Sequence, residues 1–62
     1  MFRVIVTCDG CVCNDNLTKP MSYEECKQYI REHIQEFERK YEEWYSLDIL
    51  NVDSGRLVSW VL

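Results

Sequence analysis

Four cysteines, Cys8, Cys11, Cys13 and Cys26, are the residues of this chain whose type and spacing could do chemistry. Thiolates are nucleophiles and soft metal ligands, and four of them is the number a closed zinc site uses. Cys8-Asp9-Gly10-Cys11 is a CxxC on a hairpin turn, and Cys13 and Cys26 would complete the ligand set of a small zinc-binding structural or regulatory protein. The spacing C-x2-C-x-C-x12-C departs, however, from the two-pair patterns familiar in zinc sites. A thiol redox enzyme on the same CxxC would need an exposed thiolate of lowered pKa, usually at a helix N-terminus, and here the motif spans a turn. A simpler reading needs no cofactor. The period of two in a strand puts Val4, Val6 and Cys8 on one face, the turn adds Cys11 and Cys13, and Cys26 falls on the apolar stripe of a helix. All four thiols are then expected at the helix–sheet interface, reduced and behaving as small hydrophobes, with zinc and then a structural disulfide as the alternatives.

The other reactive side chains assemble less. His33 is the sole histidine, and seven residues separate it from Cys26. That is ~10.5 Å of helix rise, too far for direct proton transfer between them. The glutamates fall mostly on one solvent face of a helix, where nothing raises a carboxyl pKa for acid–base work. Gly10 and Gly55 are the only glycines, and turns account for both, so no phosphate-cradling loop is present. No catalytic residue is expected, and the chain does not read as an enzyme.

The elements that must position these groups are well signalled. Phe2 to Cys8 is β-branched and apolar, Asp9-Gly10 is a strong hairpin signal, and Cys11 to Asn14 pairs back. A two-residue turn sets Cys8 opposite Cys11, Val6 opposite Cys13 and Val4 opposite Asp15. After a polar loop to Pro20, Ser22-Tyr23-Glu24-Glu25 forms a capping box, with Met21 and Cys26 as its hydrophobic staple. Cys26, Ile30, Ile34, Phe37, Tyr41 and Trp44 then recur at steps of three and four, which predicts a helix from Tyr23 to about Glu43. Ser46 to Val52 reads as a third strand, Asp53-Ser54-Gly55 as a three-residue turn, and Arg56 to Leu62 as a fourth strand. The expected fold is one α+β domain over residues 1–62, ββαββ, with two hairpins in an antiparallel or mixed sheet and a single helix on one face.

Composition narrows the function class. Eleven acidic against seven basic residues give a net charge of −4, which argues against direct nucleic-acid binding, since that needs a basic face to displace counterions. An acidic surface suits solubility or a basic partner. The opening Met1 to Gly10 has neither a basic leader nor a long apolar core, and no run approaches the ~18 apolar residues of a membrane span, so a cytoplasmic protein without membrane contact is expected.

Two mismatches point to association. A helix from Tyr23 to Glu43 would run ~30 Å, longer than strands of ~17–23 Å. Its far end carries Phe37, Tyr41, Trp44 and Tyr45, which either overhang as an interface or fold back on the second hairpin if the helix stops near Lys40. The last hairpin also reads as apolar on both faces: Leu50, Val52, Val58, Trp60 and Leu62 on one, Leu47, Ile49, Leu57 and Val61 on the other. Ile5 and Val12 would extend the second face if the strands adjoin. A second copy packing face to face is the simplest cover, so a homodimer is expected.

In size, acidity and the layout Pro20-Met-Ser-Tyr-Glu-Glu25 … Asp53-Ser-Gly-Arg-Leu-Val58, the chain resembles small phage-encoded inhibitors of bacterial defence systems, anti-CRISPRs among them. The resemblance implies a protein of the host cytoplasm that docks on a larger nucleic-acid-processing complex. The acidic helix residues Glu24, Glu25, Glu32, Glu36, Glu42 and Glu43 would face a basic channel and occlude it by bulk and charge.

Overall fold

The computed structural model describes residues 1–61, and its element order is β1 (Phe2–Cys8), β2 (Cys11–Asn14), α1 (Tyr23–Lys40), β3 (Tyr45–Asn51) and β4 (Arg56–Val58). The strands form one antiparallel sheet in the order β2-β1-β3-β4, and α1 packs on the two central strands, β1 and β3. This is the α+β ββαββ architecture that the sequence predicts. Among the described residues no helix is long and apolar enough to cross a membrane.

The helix begins where its capping box sets it. Ser22 Oγ accepts the Glu25 N–H at 3.2 Å, and the Glu25 carboxylate accepts the Ser22 N–H at 3.1 Å. These bonds to Ser22 hold the Glu25 carboxyl below the usual carboxylate range. Glu24 and Glu25 in the first turn and Arg39 and Lys40 in the last complement the helix dipole. Cys26, Ile30 and Phe37 are buried, facing Val4, Val6, Leu47 and Ile49 of the central strands in one core. Full burial of each such side chain contributes roughly 1.5–3 kcal/mol, which is how a chain this short holds its layers together.

Both hairpins shift the expected register by one residue. Asp9 and Gly10 have φ of 51° and 81°, the pair of positive values a type I′ turn requires, and Cys8 lies opposite Cys11 as predicted. Beyond it a bulge intervenes: Thr7 pairs with Val12 but Val6 pairs with Asn14, so Cys13 is the extra residue and Val6 does not face it. At the other hairpin the closing pair is Asn51 and Arg56, making a four-residue loop from Val52 to Gly55. Ile49, not Leu50, therefore lies opposite Val58. A one-residue slip turns β3 over relative to β4, so the two sides of β3 exchange while Val58 and Trp60 stay against the core. Leu47 and Ile49, expected on the outer face, are buried under the helix with exposures of 4% and 0%. Leu50 and Leu57 form the outward pair instead.

The outer face is correspondingly more polar than the sequence suggests. Thr7 donates to the Asp48 carboxylate at 2.5 Å, and Ile5, between Arg3 and Thr7 on that face, is already fully buried within the single chain. Val12 and Leu57, both exposed, lie on opposite edge strands. β4 also ends early, at Val58, and beyond it the Ser59 carbonyl accepts the Tyr23 hydroxyl at 2.8 Å. Leu62, assigned by its sequence to the fourth strand and its inner face, lies outside the described residues.

Candidate functional site

The four thiols do not share one environment. Cys26 is fully buried in the core at the N-terminal end of the helix, next to the end of the sheet where Phe2 bonds Met21. Cys8 lies six residues along β1 from Phe2, ~20 Å away, and is half-buried, while Cys11 and Cys13 are exposed. The expectation of four buried thiols fails because the helix covers β1 and β3 but not the β1–β2 turn. The four-cysteine ligand set is not assembled either. Among the described residues no group of three or more His, Cys, Asp or Glu side chains is placed to hold a metal ion. Partial burial, and then a hydrogen bond with Cys13, push the Cys8 thiol up; burial does the same to Cys26. Both shifts favour the neutral thiol over the reactive thiolate.

His33 is engaged in the helix. Its Nδ1 lies 2.8 Å from the Tyr29 carbonyl oxygen, and its ring stacks on Tyr29 at 4.0 Å. Both residues edge a small hollow of about 140 Å³ together with Glu36 and Lys40.

The main concavity lies on the other side of the helix. The helix stops at Lys40, and Tyr41 leaves it in an extended conformation (φ −114°, ψ 153°) while its N–H still donates to the Phe37 carbonyl at 2.9 Å. The Tyr45 N–H bonds the Glu42 carbonyl at 3.0 Å and closes the turn into β3. Phe37, Tyr41 and Tyr45 thus fold back, as the shorter-helix alternative requires, with Tyr41 between Phe37 (4.6 Å) and Tyr45 (5.4 Å), while Trp44 stays exposed. With 18 residues the helix is ~27 Å long and overhangs the sheet little.

That turn-back opens a groove of about 810 Å³ between the C-terminal half of α1, the 41–45 turn, β3 and the tail after β4. Its walls carry the rings of Phe37, Tyr41, Tyr45 and Trp60 and the carboxylates of Glu38, Glu42 and Glu43. Asp48 also borders it, but its carboxylate is committed to Thr7. No lysine, arginine or histidine lines the groove, and the only ion pair among the described residues joins the N-terminal amine to Asp53 elsewhere. The Cys8 thiol nearby, with partial burial, pushes the Tyr45 phenol up, so it stays a neutral donor.

Several predicted site residues meet here and others do not. Tyr41, Tyr45, Glu42 and Glu43 line the groove, the two glutamates from the turn rather than from a helix face. Phe37, Leu47 and Ile49 belong to the core, and of these Phe37 and Leu47 also reach the groove. Trp44, Leu57 and Val61 are exposed, at 50%, 48% and 78%, outside it. Glu24 and Glu25 sit at the opposite end of the helix, and Glu32 accepts a hydrogen bond from Gln28 at 3.1 Å. The six glutamates therefore do not form one continuous face. Sequence reasoning missed Glu38 and Trp60. Glu38 directly follows the core residue Phe37 and so sits at the margin of the apolar stripe, the one signal available for it. No family model, curated protein or solved structure matches the chain.

Proposed function

We propose that the chain is a protein-binding module that docks on a basic site of a larger protein and acts there as an inhibitor by occlusion. The observation that supports this most is the groove itself: aromatic walls, three carboxylates without an ion-pair partner among the described residues, and no basic residue among the described lining side chains. Aromatic faces attract cations by about 0.5–2 kcal/mol each, more when desolvated, and carboxylates pair with guanidinium and ammonium groups. A lysine or arginine of a partner meets both kinds of group here at once. The −4 net charge adds a long-range field that steers a basic partner toward the chain and raises the rate of encounter. In its narrower form the partner is a nucleic-acid-processing or defence complex whose phosphate-binding channel supplies the basic groups. That form rests on charge, size and the resemblance to phage-encoded inhibitors.

The test is parallel affinity capture from bacterial lysate with the native chain and with the double variant Glu42→Lys/Glu43→Lys. Both substituted residues are exposed, so the fold is expected to persist. The expected result is a nucleic-acid-binding complex retained at low salt by the native chain and lost with the variant. Identical captures from both proteins would contradict the proposal.

A further inference from the structure

We infer that the groove takes its partner as an added β-strand: an extended segment with lysine or arginine at alternate positions pairs with the open half of β3. This deepens, and rests on, the docking of a basic partner proposed above.

The backbone pairing leads to it. Val4 N–H donates to Thr18 Oγ1 at 3.2 Å, and Phe2 exchanges backbone bonds of 2.8 and 2.7 Å with Met21. Both contacts lie on the β2 side of β1, so the even-numbered residues of β1 direct their N–H and C=O groups there and the odd-numbered ones direct theirs at β3. Arg3, Ile5 and Thr7 pair with Leu50, Asp48 and Ser46. The backbone groups of Tyr45, Leu47, Ile49 and Asn51 must then point to the β4 side. The Gly55 N–H bonded to the Asn51 carbonyl at 2.8 Å agrees with that direction.

On this side β4 completes only part of the edge. Ile49 and Asn51 pair with Val58 and Arg56, and the Tyr45 N–H is taken by Glu42. The N–H and C=O of Leu47 and the C=O of Tyr45 have no backbone partner among the described residues. The far edge of β1, by contrast, is engaged by β2, by Thr18 at the Val4 N–H and by Met21 at Phe2. The open stretch from Tyr45 to Asp48 is also what floors the groove.

An unpaired strand edge recruits an extended chain through main-chain bonds, and side chains at every second position then choose the sequence. In a strand added here, alternate side chains point to the helix side, toward Glu38, Glu42, Glu43, Tyr41 and Trp60. The intervening ones point to the outer face. The charge of the groove selects cationic groups for the first set.

The experiment uses the full chain and a blocked peptide of alternating lysine and valine. A companion peptide of the same sequence, with its backbone nitrogens methylated, keeps its charge but cannot pair as a strand. Binding is measured by calorimetry and backbone protection by amide hydrogen exchange. The expected result is that the first peptide slows exchange at Leu47 about tenfold or more near saturation, with the β2 amides unchanged, and that the companion binds at least about tenfold more weakly. Equal binding of both peptides without slowing at Leu47 overturns strand addition while leaving the basic-partner reading standing. Binding of neither peptide overturns both. Protection of Leu47 that rises with protein concentration and without peptide assigns the edge to a second copy of the chain, and so overturns the inference as well.

Discussion

The Tyr41 ring stacks on Phe37, one helical turn before it, with centroids 4.6 Å apart and planes 25° apart. Yet Tyr41 itself has already left the helical backbone. The stack continues to Tyr45 in β3, so one run of rings ties the end of the helix to the start of the strand and forms a wall of the acidic groove. Replacing Tyr41 with alanine removes the middle ring. The expected outcome is a loss of about 1–3 kcal/mol in denaturant unfolding together with weaker binding of a cationic peptide. Unchanged stability and binding would show that the stack does not organise the turn.

The capping box gives a second outcome. Ser22→Ala should destabilise the domain by about 1 kcal/mol, lowering its melting temperature by roughly 4–8 °C for a domain this small. The pH dependence has a definite sign. The folded-state pKa of Glu25 is lowered, so the stability it contributes is fully present above the ordinary carboxyl pKa and is lost as pH falls through the depressed folded value. Thermal melts across that acid range should converge for native and Glu25→Gln protein, since the native carboxyl is neutral there too. A gap that widened on acidification would contradict the role assigned to Glu25.

The thiols should react in a set order. Exposed Cys11 and Cys13 label first with iodoacetamide, Cys8 follows because its raised pKa leaves less thiolate, and Cys26 labels only on unfolding. Peptide mapping by mass spectrometry reads this directly. Labelling of Cys26 at the rate of Cys11 would mean that the helix does not cover it as described.

The outer face offers a test of self-association. Leu57→Lys and Val12→Lys place charges on edge strands where both residues are exposed, and each should change the stability of the single chain by no more than about 0.5 kcal/mol. Light scattering on the native chain and on these variants separates two cases. If two copies pack through this face, the native chain is a dimer and the variants are monomers. If the Thr7–Asp48 bond and the buried Ile5 complete the face, all three have the same mass.

Much of the fold was legible because it rests on local chemistry. Asp9-Gly10 permits the positive φ pair of its turn, Ser22 with Glu25 marks the helix start, and Cys26, Ile30 and Phe37 mark its inner face. The rest depends on counts that sequence pattern does not fix. No glycine or proline ends the helix at Lys40: Tyr41 turns extended there and the Tyr45 N–H bonds the Glu42 carbonyl, a local turn without a marker residue. A loop of four residues rather than three, and a bulge at Cys13, each turn a strand over by one position. That exchanged Leu47 and Ile49 with Leu50 and moved two expected interface residues into the core. The groove was the least legible feature, since it needs the early helix end, the short β4 and the open β3 edge together.

The most direct measurement is calorimetric titration of the full chain with the blocked lysine–valine peptide at low and high salt, beside the Glu42→Lys/Glu43→Lys variant. Binding at low salt should weaken about tenfold or more in the variant and fall markedly as the Debye length shrinks from ~10 Å at 0.1 M to ~3 Å at 1 M salt. Binding of equal strength by native and reversed-charge chains, unaffected by salt, would contradict an acidic groove built for a basic partner.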